Sequence, residues 1–412
     1  MNRKVLLICY YFPPLGLGGV GRPLNLFKKL PACGWDCDVL TVKPVAYRAY
    51  EPELLDGVDT KDVHRSGSRD PQRLLYLAGV RRVGDSAADR ARKVSARFFP
   101  DSKIGWVKPA VRLGRKLVRQ NRYHALLSTS PPVSAHLVAR QLRSDAGLPW
   151  VADFRDFWTS YKVEDTFDEP SLVTRGKQLL AAIVDEATEI TTVNQAVSEY
   201  LGCGRVVTNG YDADLAANWQ PPADADQFVI GLLGSFSAEV PVAPLFRALS
   251  CLREVSPSEF DKLRLLQVGQ VDPDWFAAQL KEYALHERCD VKLLQGRKET
   301  IRLLSATSLM YTATSVGEAK ILPSRVFDLL ASGRPILACA PGDSEVGRLI
   351  EATGSGACFD ESSLGRAVDF LTEIIRARET GGRDITPLPD YARKYSSEEM
   401  AGSFASILDN LP

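Results

Sequence analysis

The residues best equipped to do chemistry run from Glu318 to Pro335, in the order E-A-K-I-L-P-S-R-V-F-D-L-L-A-S-G-R-P. Pro323 suits the first turn of a helix, Val326, Leu329 and Leu330 form an apolar stripe along it, and Gly333 with Pro335 ends it before a strand. Ser324 and Arg325 fall on the first turn, where unsatisfied N–H groups, the helix dipole and a guanidinium converge on a diphosphate, with Lys320 close by. Asp328, one turn further in, can accept both hydroxyls of a ribose. Together they outline a nucleoside diphosphate. The plainer alternative is an amphipathic helix with ordinary polar decoration.

Two further clusters lie in the first half of the chain. The apolar run Val5 to Phe12 leads into Pro13-Pro14-Leu15-Gly16-Leu17-Gly18-Gly19-Val20-Gly21 and then Arg22. Glycines such as Gly16, Gly18 and Gly19 let backbone take positive φ and approach an anion, and the helix that follows offers free N–H groups, which suits phosphate. The spacing is G-x-G-G-x-G, not the dinucleotide pattern G-x-G-x-x-G, and no acidic residue ends the second strand, which argues against an NAD enzyme. A simple tight turn stays open. The second cluster, Val-Ala-Asp-Phe-Arg-Asp-Phe-Trp at 151–158, crowds Asp153, Arg155, Asp156 and Trp158 at a strand's carboxyl end, where open α/β sheets bind ligands. The arginine could neutralise a diphosphate or leaving group and an aspartate could hold a sugar hydroxyl or act as a base; a structural ion pair is the alternative. Upstream, Ser130 closes a hydroxyl-rich strand end, and His136 sits two residues into a helical pattern, either packed or facing a site.

These clusters need elements to position them. A buried strand, a glycine loop, a helix carrying Leu24, Phe27 and Leu30, and a second strand at 38–42 form a βαβ unit and thus a parallel sheet. Further buried-strand patterns at 125–128, 150–154, 190–193 and 205–208 extend it, while residues 43–80 are hard to read. Residues 213–227, with Pro221-Pro222 and no apolar periodicity, read as a linker. A second series of strands follows at 228–233, 263–268, 291–294, 309–312 and 335–340. The expected fold is α/β, two doubly wound parallel-sheet domains at 1–212 and 228–385, with 386–412 a helical segment that packs back on the first domain.

Composition narrows the function. The chain has 412 residues, 45% of them hydrophobic and 25% charged, with Lys plus Arg equal to Asp plus Glu at 51 each, so a protein that wraps nucleic acid is not expected. One stretch departs from this balance. From Arg81 to Arg122 there are 13 Lys or Arg against Asp85, Asp89 and Asp101, either a docking surface for anionic lipid or a lipid-linked diphosphate, or a solvated helical face paired with acids elsewhere. The eight cysteines form no metal spacing and read as buried free thiols. The N-terminal apolar run ends at Pro13-Pro14, too short for a signal peptide or a membrane span, which points to a cytoplasmic protein.

With these residues in view, the chain resembles a glycosyltransferase of the GT-B fold, similar to family 4 and its relatives in bacterial polysaccharide assembly. The resemblance is carried by YYFPPLGLGGVGR at 10–22, STSPPVSAHLVA at 128–139, WVADFRDFW at 150–158, VVTNGYDADL at 206–215 and LPSRVFDLLASGRPILA at 322–338. It implies two Rossmann-like domains facing across a cleft, and transfer of a sugar from a nucleotide-sugar donor to a glycan or lipid-linked acceptor. It implies no metal, no cofactor beyond the donor itself, and retention at the anomeric carbon. On this resemblance the donor meets Gly18, Gly19, Gly234, Ser235, Lys320, Pro323, Ser324, Arg325 and Asp328, and the acceptor meets Gly16, Arg22, Ser130, His136 and Trp158. The chemistry falls to Asp153, Arg155, Asp156 and Lys320. Arg155 stands where many relatives have a histidine, Arg325 where they have a lysine, and Asp328 where they have the ribose-holding glutamate. Two departures stand out: eight residues before Asp328 is Lys320 rather than a second glutamate, and the loop from Gly234 lacks the Arg and Lys pair of many relatives. A nucleotide-sugar epimerase and an inactive binding relative remain as alternatives.

Overall fold

The computed structural model describes residues 3–16, 18–45, 50–77, 98–158, 167, 169–220, 227–237, 240–269, 271–293, 296–314, 319–380 and 389–412. The basic stretch from Arg81 to Arg97, Glu318 and residues 221–226 lie outside them. Contacts divide the chain into two compact units, Met1–Asn209 with Ser397–Pro412, and Gly210–Ser396.

The first unit is built on a seven-stranded sheet, every pairing parallel. In chain order its strands are β1 Arg3–Ile8, β2 Trp35–Val42, β3 Val63–Ser66, β4 Ala125–Ser130, β5 Trp150–Phe154, β6 Glu189–Thr192 and β7 Arg205–Val206. They lie in the order β3-β2-β1-β4-β5-β6-β7. Val5 to Ile8 are fully buried because β1 is central, with Val5 paired to Cys37 on one side and Ala125 on the other. A strand covered by helices on both faces reads as an unbroken apolar run, which is why it was visible in sequence. The helix Ser397–Asp409 returns to this unit and packs Met400, Phe404, Ile407 and Leu408 against the core of Val5, Leu7 and Leu24. Asp409 anchors its end, paired with Arg3 and accepting from Trp35 Nε1 at 2.8 Å.

The second unit holds a six-stranded parallel sheet: β8 Phe228–Leu233, β9 Leu263–Val268, β10 Cys289–Lys292, β11 Leu309–Ala313, β12 Ile336–Cys339 and β13 Gly356–Phe359, in the order β10-β9-β8-β11-β12-β13. Alternation along the strands feeds two cores. Ile230, Leu232 and Tyr311 enter one with Leu245 and Phe246, while Met310, Ile336 and Ala338 enter the other with Val326, Leu329 and Leu330.

Several expectations are corrected here. The expected linker is structured at its start: Ala213–Ala216 is a short helix capped by the Asp212 side chain, and Trp219 is buried in the second unit. Arg334 holds this segment down, donating to Gln220 O at 2.6 Å and stacking on the Trp219 ring at 4.8 Å. The segment from 386 divides, because Ala392 and Tyr395 pack in the second unit and only the helix from Ser397 joins the first. Residues 43–80, unreadable in sequence, supply β3 and the helix Pro71–Leu77, and β13 was not foreseen. Of the cysteines, Cys251 is exposed rather than buried.

Candidate functional site

Each sheet has one switch point, where consecutive crossovers leave in opposite directions and a crevice opens at the strands' carboxyl ends. In the first unit it lies between β1 and β4, and in the second between β8 and β11. The sequence clusters fall at these two places.

At the first switch point the glycine loop follows β1, with a short turn at Gly18–Val20 and the helix Gly21–Lys29. Neither Gly16 nor Gly19 takes a positive φ, which corrects the expectation that the loop needs left-handed backbone. At Gly16 closeness favours glycine, since a Cβ there would lie 2.5 Å from Glu51 Oε1, whereas one on Gly19 would make only ordinary contact, 3.6 Å from the Arg155 guanidinium. Arg155 satisfies three backbone carbonyls, with Nε to Ser130 O at 2.8 Å, Nη2 to Pro131 O at 3.1 Å, and Nη1 to Gly19 O. It therefore clamps the glycine loop to the end of β4. Three of its donors are thereby committed to backbone, in a side chain that is half-buried.

Asp153 and Arg22 are likewise corrected. Asp153 is fully buried at the end of β5 and accepts from Arg22 Nε at 3.0 Å, Arg22 Nη2 at 2.8 Å, Thr129 Oγ1 at 2.7 Å and Thr191 Oγ1 at 2.8 Å. Burial opposes its charge, but the guanidinium and the two hydroxyls outweigh it and hold the carboxyl below its usual range. Arg22 also donates to Thr208 O at 2.9 Å, so the pair ties the first helix to strands β4 to β6 and the chain beyond β7. Both ions are committed to structure, and neither is a base or an acceptor ligand. His136 is fully buried too, its Nδ1 2.8 Å from Ser128 Oγ. Burial pushes it down to about 3, so it stays neutral and is a packed histidine rather than an acceptor contact.

Three expected residues keep polar capacity. Asp156 is half-buried, its carboxylate accepting from Phe157 N at 3.1 Å. Ser130 Oγ and Trp158 Nε1 are buried without a hydrogen-bond partner among the described residues, an uncommon state for native polar groups. Sequence reasoning missed a fourth feature beside β1 and β3. Tyr10 donates to Asp70 Oδ2 at 2.6 Å, while Lys103 and Arg73 lie 3.7 and 3.6 Å from the same carboxylate. Asp70 and Arg73 come from the segment whose pattern was unreadable, so no spacing signal could have joined them to Tyr10.

At the second switch point the expected residues do converge. Gly234 follows β8 with φ of 117°, a backbone conformation that disfavours a side chain. Its carbonyl accepts from Gln267 Nε2 at 2.8 Å and packs directly on Gly269. Arg325 lies over it, with Nη1 2.9 Å from the place a Gly234 Cβ would occupy, and Nη2 donating to Ala313 O at 3.0 Å. The guanidinium thus bridges the carboxyl ends of β8 and β11. Gln267 Oε1 and Thr312 Oγ1 are buried there without partners among the described residues. Ser235, Lys320 and Ser324 are exposed, and Pro323 is half-buried. The helix begins at Arg325, not Pro323, and the Ser324 side chain makes no cap bond.

Asp328 lies three residues after Arg325 on this Arg325–Ala331 helix, on the same side. It is half-buried and has no hydrogen bond or ion pair among the described residues. Burial raises its carboxyl above the usual range; Arg297 counters this and Asp212 adds to it. Arg297 and Asp212 were not singled out in sequence, because only the packing of Arg297–Leu304 against the Ala213–Ala216 helix brings them near. A cation spread over two strand ends, with an unpartnered carboxylate one turn away, can take an anionic group and hydroxyls together. Among the described residues, no group of three or more His, Cys, Asp or Glu could hold a metal ion.

No family model matches the sequence, and no curated protein matches it. Solved structures do match over the whole chain. Sucrose-phosphate synthase from Thermosynechococcus elongatus is 14% identical, with 100% of this chain and 99% of that one covered and a TM-score of 0.66. The HepE protein of Anabaena, solved in complex with UDP-glucose, is 13% identical over 99% of this chain and 100% of its own, with a TM-score of 0.60. A protein of Listeria monocytogenes assigned as a UDP-N-acetylglucosamine 2-epimerase is 10% identical over 99% and 96%, with a TM-score of 0.57. The two parallel-sheet α/β domains are those of the GT-B glycosyltransferase fold.

Proposed function

We propose that this protein is a glycosyltransferase that moves a sugar from a nucleotide-sugar donor to a glycan or lipid-linked acceptor in polysaccharide or glycoconjugate assembly, as a member of the family 4 group. The observation that carries the proposal is the constellation of Arg325 across the ends of β8 and β11 with Asp328 one turn on, which has no partner among the described residues. The fold supports it.

In this reading the second unit recognises the donor. Arg325 and the exposed Lys320 meet the diphosphate, and Asp328 accepts the ribose hydroxyls. As the glycosidic bond to the diphosphate breaks, negative charge grows on the leaving phosphate, and fixed cations stabilise that change. Attack comes from the leaving-group face, with a donor phosphate oxygen helping to take the acceptor proton, so no protein nucleophile, metal or resident cofactor is invoked and the anomeric configuration is retained. The first unit recognises the acceptor. Asp156 is its remaining carboxylate candidate, while Arg155, Arg22 and Asp153 shape the loop and strand ends. The reaction belongs to the cytoplasmic side, where nucleotide sugars are made.

The test is a thermal-shift panel of UDP, GDP, ADP, CMP and dTDP, followed by incubation of the matching nucleotide sugars with acceptor extracts and measurement of released nucleotide. One nucleotide should shift the melting temperature, and its sugars should release it only with acceptor. An epimerase is the second reading, favoured by the Listeria likeness. It would convert the donor alone to an isomer. Absence of any nucleotide response would leave a binding protein without catalysis.

A further inference from the structure

The carboxyl ends of β1 and β3 carry a buried charged cluster that the reading above leaves without a task. Tyr10 follows β1, Ser68, Asp70 and Arg73 follow β3, and Lys103 immediately precedes the helix Ile104–Gln120. That helix leads into β4, a parallel neighbour of β1, so its start lies level with the strands' carboxyl ends. Two contacts fix it there: Trp106 Nε1 donates to Ser66 Oγ at 2.8 Å, and Arg69 N donates to Gly105 O at 3.1 Å. Three segments distant in sequence thus meet around one carboxylate.

That carboxylate is fully served, whereas the cations beside it are held loosely. Asp70 accepts from Tyr10 Oη at 2.6 Å, Ser68 Oγ at 2.7 Å and Arg73 N at 3.2 Å. Arg73 Nε and Lys103 Nζ stay 3.6 and 3.7 Å from it, longer than direct hydrogen bonds. Both cations are deeply buried, Arg73 4% and Lys103 6% exposed. Arg73 Nη2 is buried with no hydrogen-bond partner among the described residues, and a buried guanidinium donor without an acceptor is costly. The second acid near Lys103 is engaged elsewhere, since Asp101 accepts from Ser134 N, Ser134 Oγ and Lys103 N, each at 2.8 Å. Burial holds the Lys103 ammonium below its usual range, although Asp70 and Asp101 both oppose that shift.

We propose that this cluster is an anion subsite, in which Arg73 and Lys103 hold an acidic group, carboxylate or phosphate, carried by the sugar acceptor. In giving the anion to the acceptor, the proposal rests on the transferase reading, where the first unit takes the acceptor. An acidic oxygen supplies the partner that Arg73 Nη2 lacks and adds negative charge beside two buried cations that share Asp70. Tyr10 and Asp70 are positioning residues: the carboxylate lies between the cations, and Lys103 Nζ stands 5.3 Å from the centre of the Tyr10 ring. A purely structural ion pair would show direct bonds and no donor left over. A neutral sugar would leave that donor unanswered, so the subsite selects acidic acceptors over neutral ones.

The experiment is a thermal-shift titration of the full chain with glucose, glucuronate, glucose 6-phosphate and inorganic phosphate at matched ionic strength, on wild type, Arg73→Met, Lys103→Met and Arg73→Lys. Excluded salts stabilise any protein, so the signal is the difference between wild type and variant. At least one acidic probe should shift the wild type while glucose does not, glucuronate marking a carboxylate and the two phosphates a phosphate. Each Met variant should weaken that binding about 10- to 150-fold in Kd, and Arg73→Lys should keep part of it. Without ligand, Arg73→Met should melt no lower than wild type, because an apolar side chain replaces a poorly served buried cation. The nucleotide response should be unchanged in all variants. A wild type that responds to acidic probes but to no nucleotide sinks the donor reading and leaves the anion subsite standing. Equal shifts by acidic and neutral probes, or equal acidic-probe responses in wild type and both Met variants, overturn the proposal. So does an Arg73→Met protein that melts well below wild type while Lys103→Met keeps the full anion response, since Arg73 is then only the structural partner of Asp70.

Discussion

Replacing Asp328 by Asn separates stability from ligand binding in a way few other positions here allow. The carboxylate is half-buried, has no partner among the described residues and lies near Asp212, so its charge works against the free fold. Because its folded pKa is raised, the folded state holds the proton more tightly than the unfolded chain does. That penalty is present above the raised value and fades as pH falls through it toward the ordinary carboxylate range. Asp328→Asn removes the penalty at neutral pH, so the nucleotide-free protein should melt no lower than wild type, and slightly higher. Binding should move the other way. A hydrogen bond to a charged acceptor contributes about 1.5–3 kcal/mol, so two ribose hydroxyls draw about 3–6 kcal/mol from the carboxylate. An amide keeps one neutral oxygen, and a loss of about 3 kcal/mol, roughly 150-fold in Kd, is expected. At a nucleotide concentration about 100 times the wild-type Kd, stabilisation of about 2.7 kcal/mol falls to about 0.3 kcal/mol in the variant. Differential scanning fluorimetry with the nucleotide that shifts wild type reads both quantities at once. Wild-type nucleotide affinity should also weaken on acidification, as the carboxylate takes up its proton. An Asp328→Asn protein that responds to nucleotide as wild type does, or that melts well below it without ligand, refutes the assignment.

Gly234→Ala should remove the nucleotide response at the same switch point, since the new methyl lies 2.9 Å from Arg325 Nη1 on backbone with φ of 117°; a melting curve and the nucleotide panel together should show about 1–3 kcal/mol of destabilisation with the lost shift. Asp153→Ala should cost about 3–5 kcal/mol by leaving Arg22 buried and unpaired, and the double change Arg22→Met, Asp153→Leu should cost less than the sum of the single changes, as denaturant titration will show. His136 is depressed to about 3 from an unfolded value near 6.5, so its stabilisation is present above that value and is lost, by about 1.4 kcal/mol per pH unit, as pH falls from there toward 3; His136→Gln should flatten the acid limb of stability against pH. Arg334→Met should destabilise the second unit by more than about 3 kcal/mol, since it strands the carbonyls of Gln220, Ser305, Thr307 and Ser332, each now within 2.9 Å of the guanidinium; hydrogen exchange should open first at 213–220.

The parallel sheets could be read from residue order because their central strands are covered on both faces. Val5 to Ile8 and Phe228 to Leu233 are apolar runs, the pattern of strands covered by helices on both faces. Short edge elements escaped, as β3 and β13 are four residues each and only partly apolar. The linker was misjudged because polarity suggested solvent, whereas Arg334, distant in sequence, supplies the hydrogen bonds that let Gln220 and Trp219 pack.

The candidate site shows where local sequence stops. Residue types alone determined that charge and hydroxyls gather at strand ends, since Asp153, Arg155, Asp156, Arg325 and Asp328 all follow or adjoin buried runs. Whether such a charge is available to a ligand depends on what lies opposite it, and that partner is usually far along the chain. Asp153 is satisfied by Arg22, 131 residues away, and Arg155 donates to the Gly19 carbonyl, 136 residues away, so long-range partners hold both in the fold. Asp328 found no such partner among the described residues and stays open to hydroxyls. Hydrophobic periodicity is a local property and determines the fold class, whereas the pairing of buried charges is a long-range one and only the tertiary structure decides it.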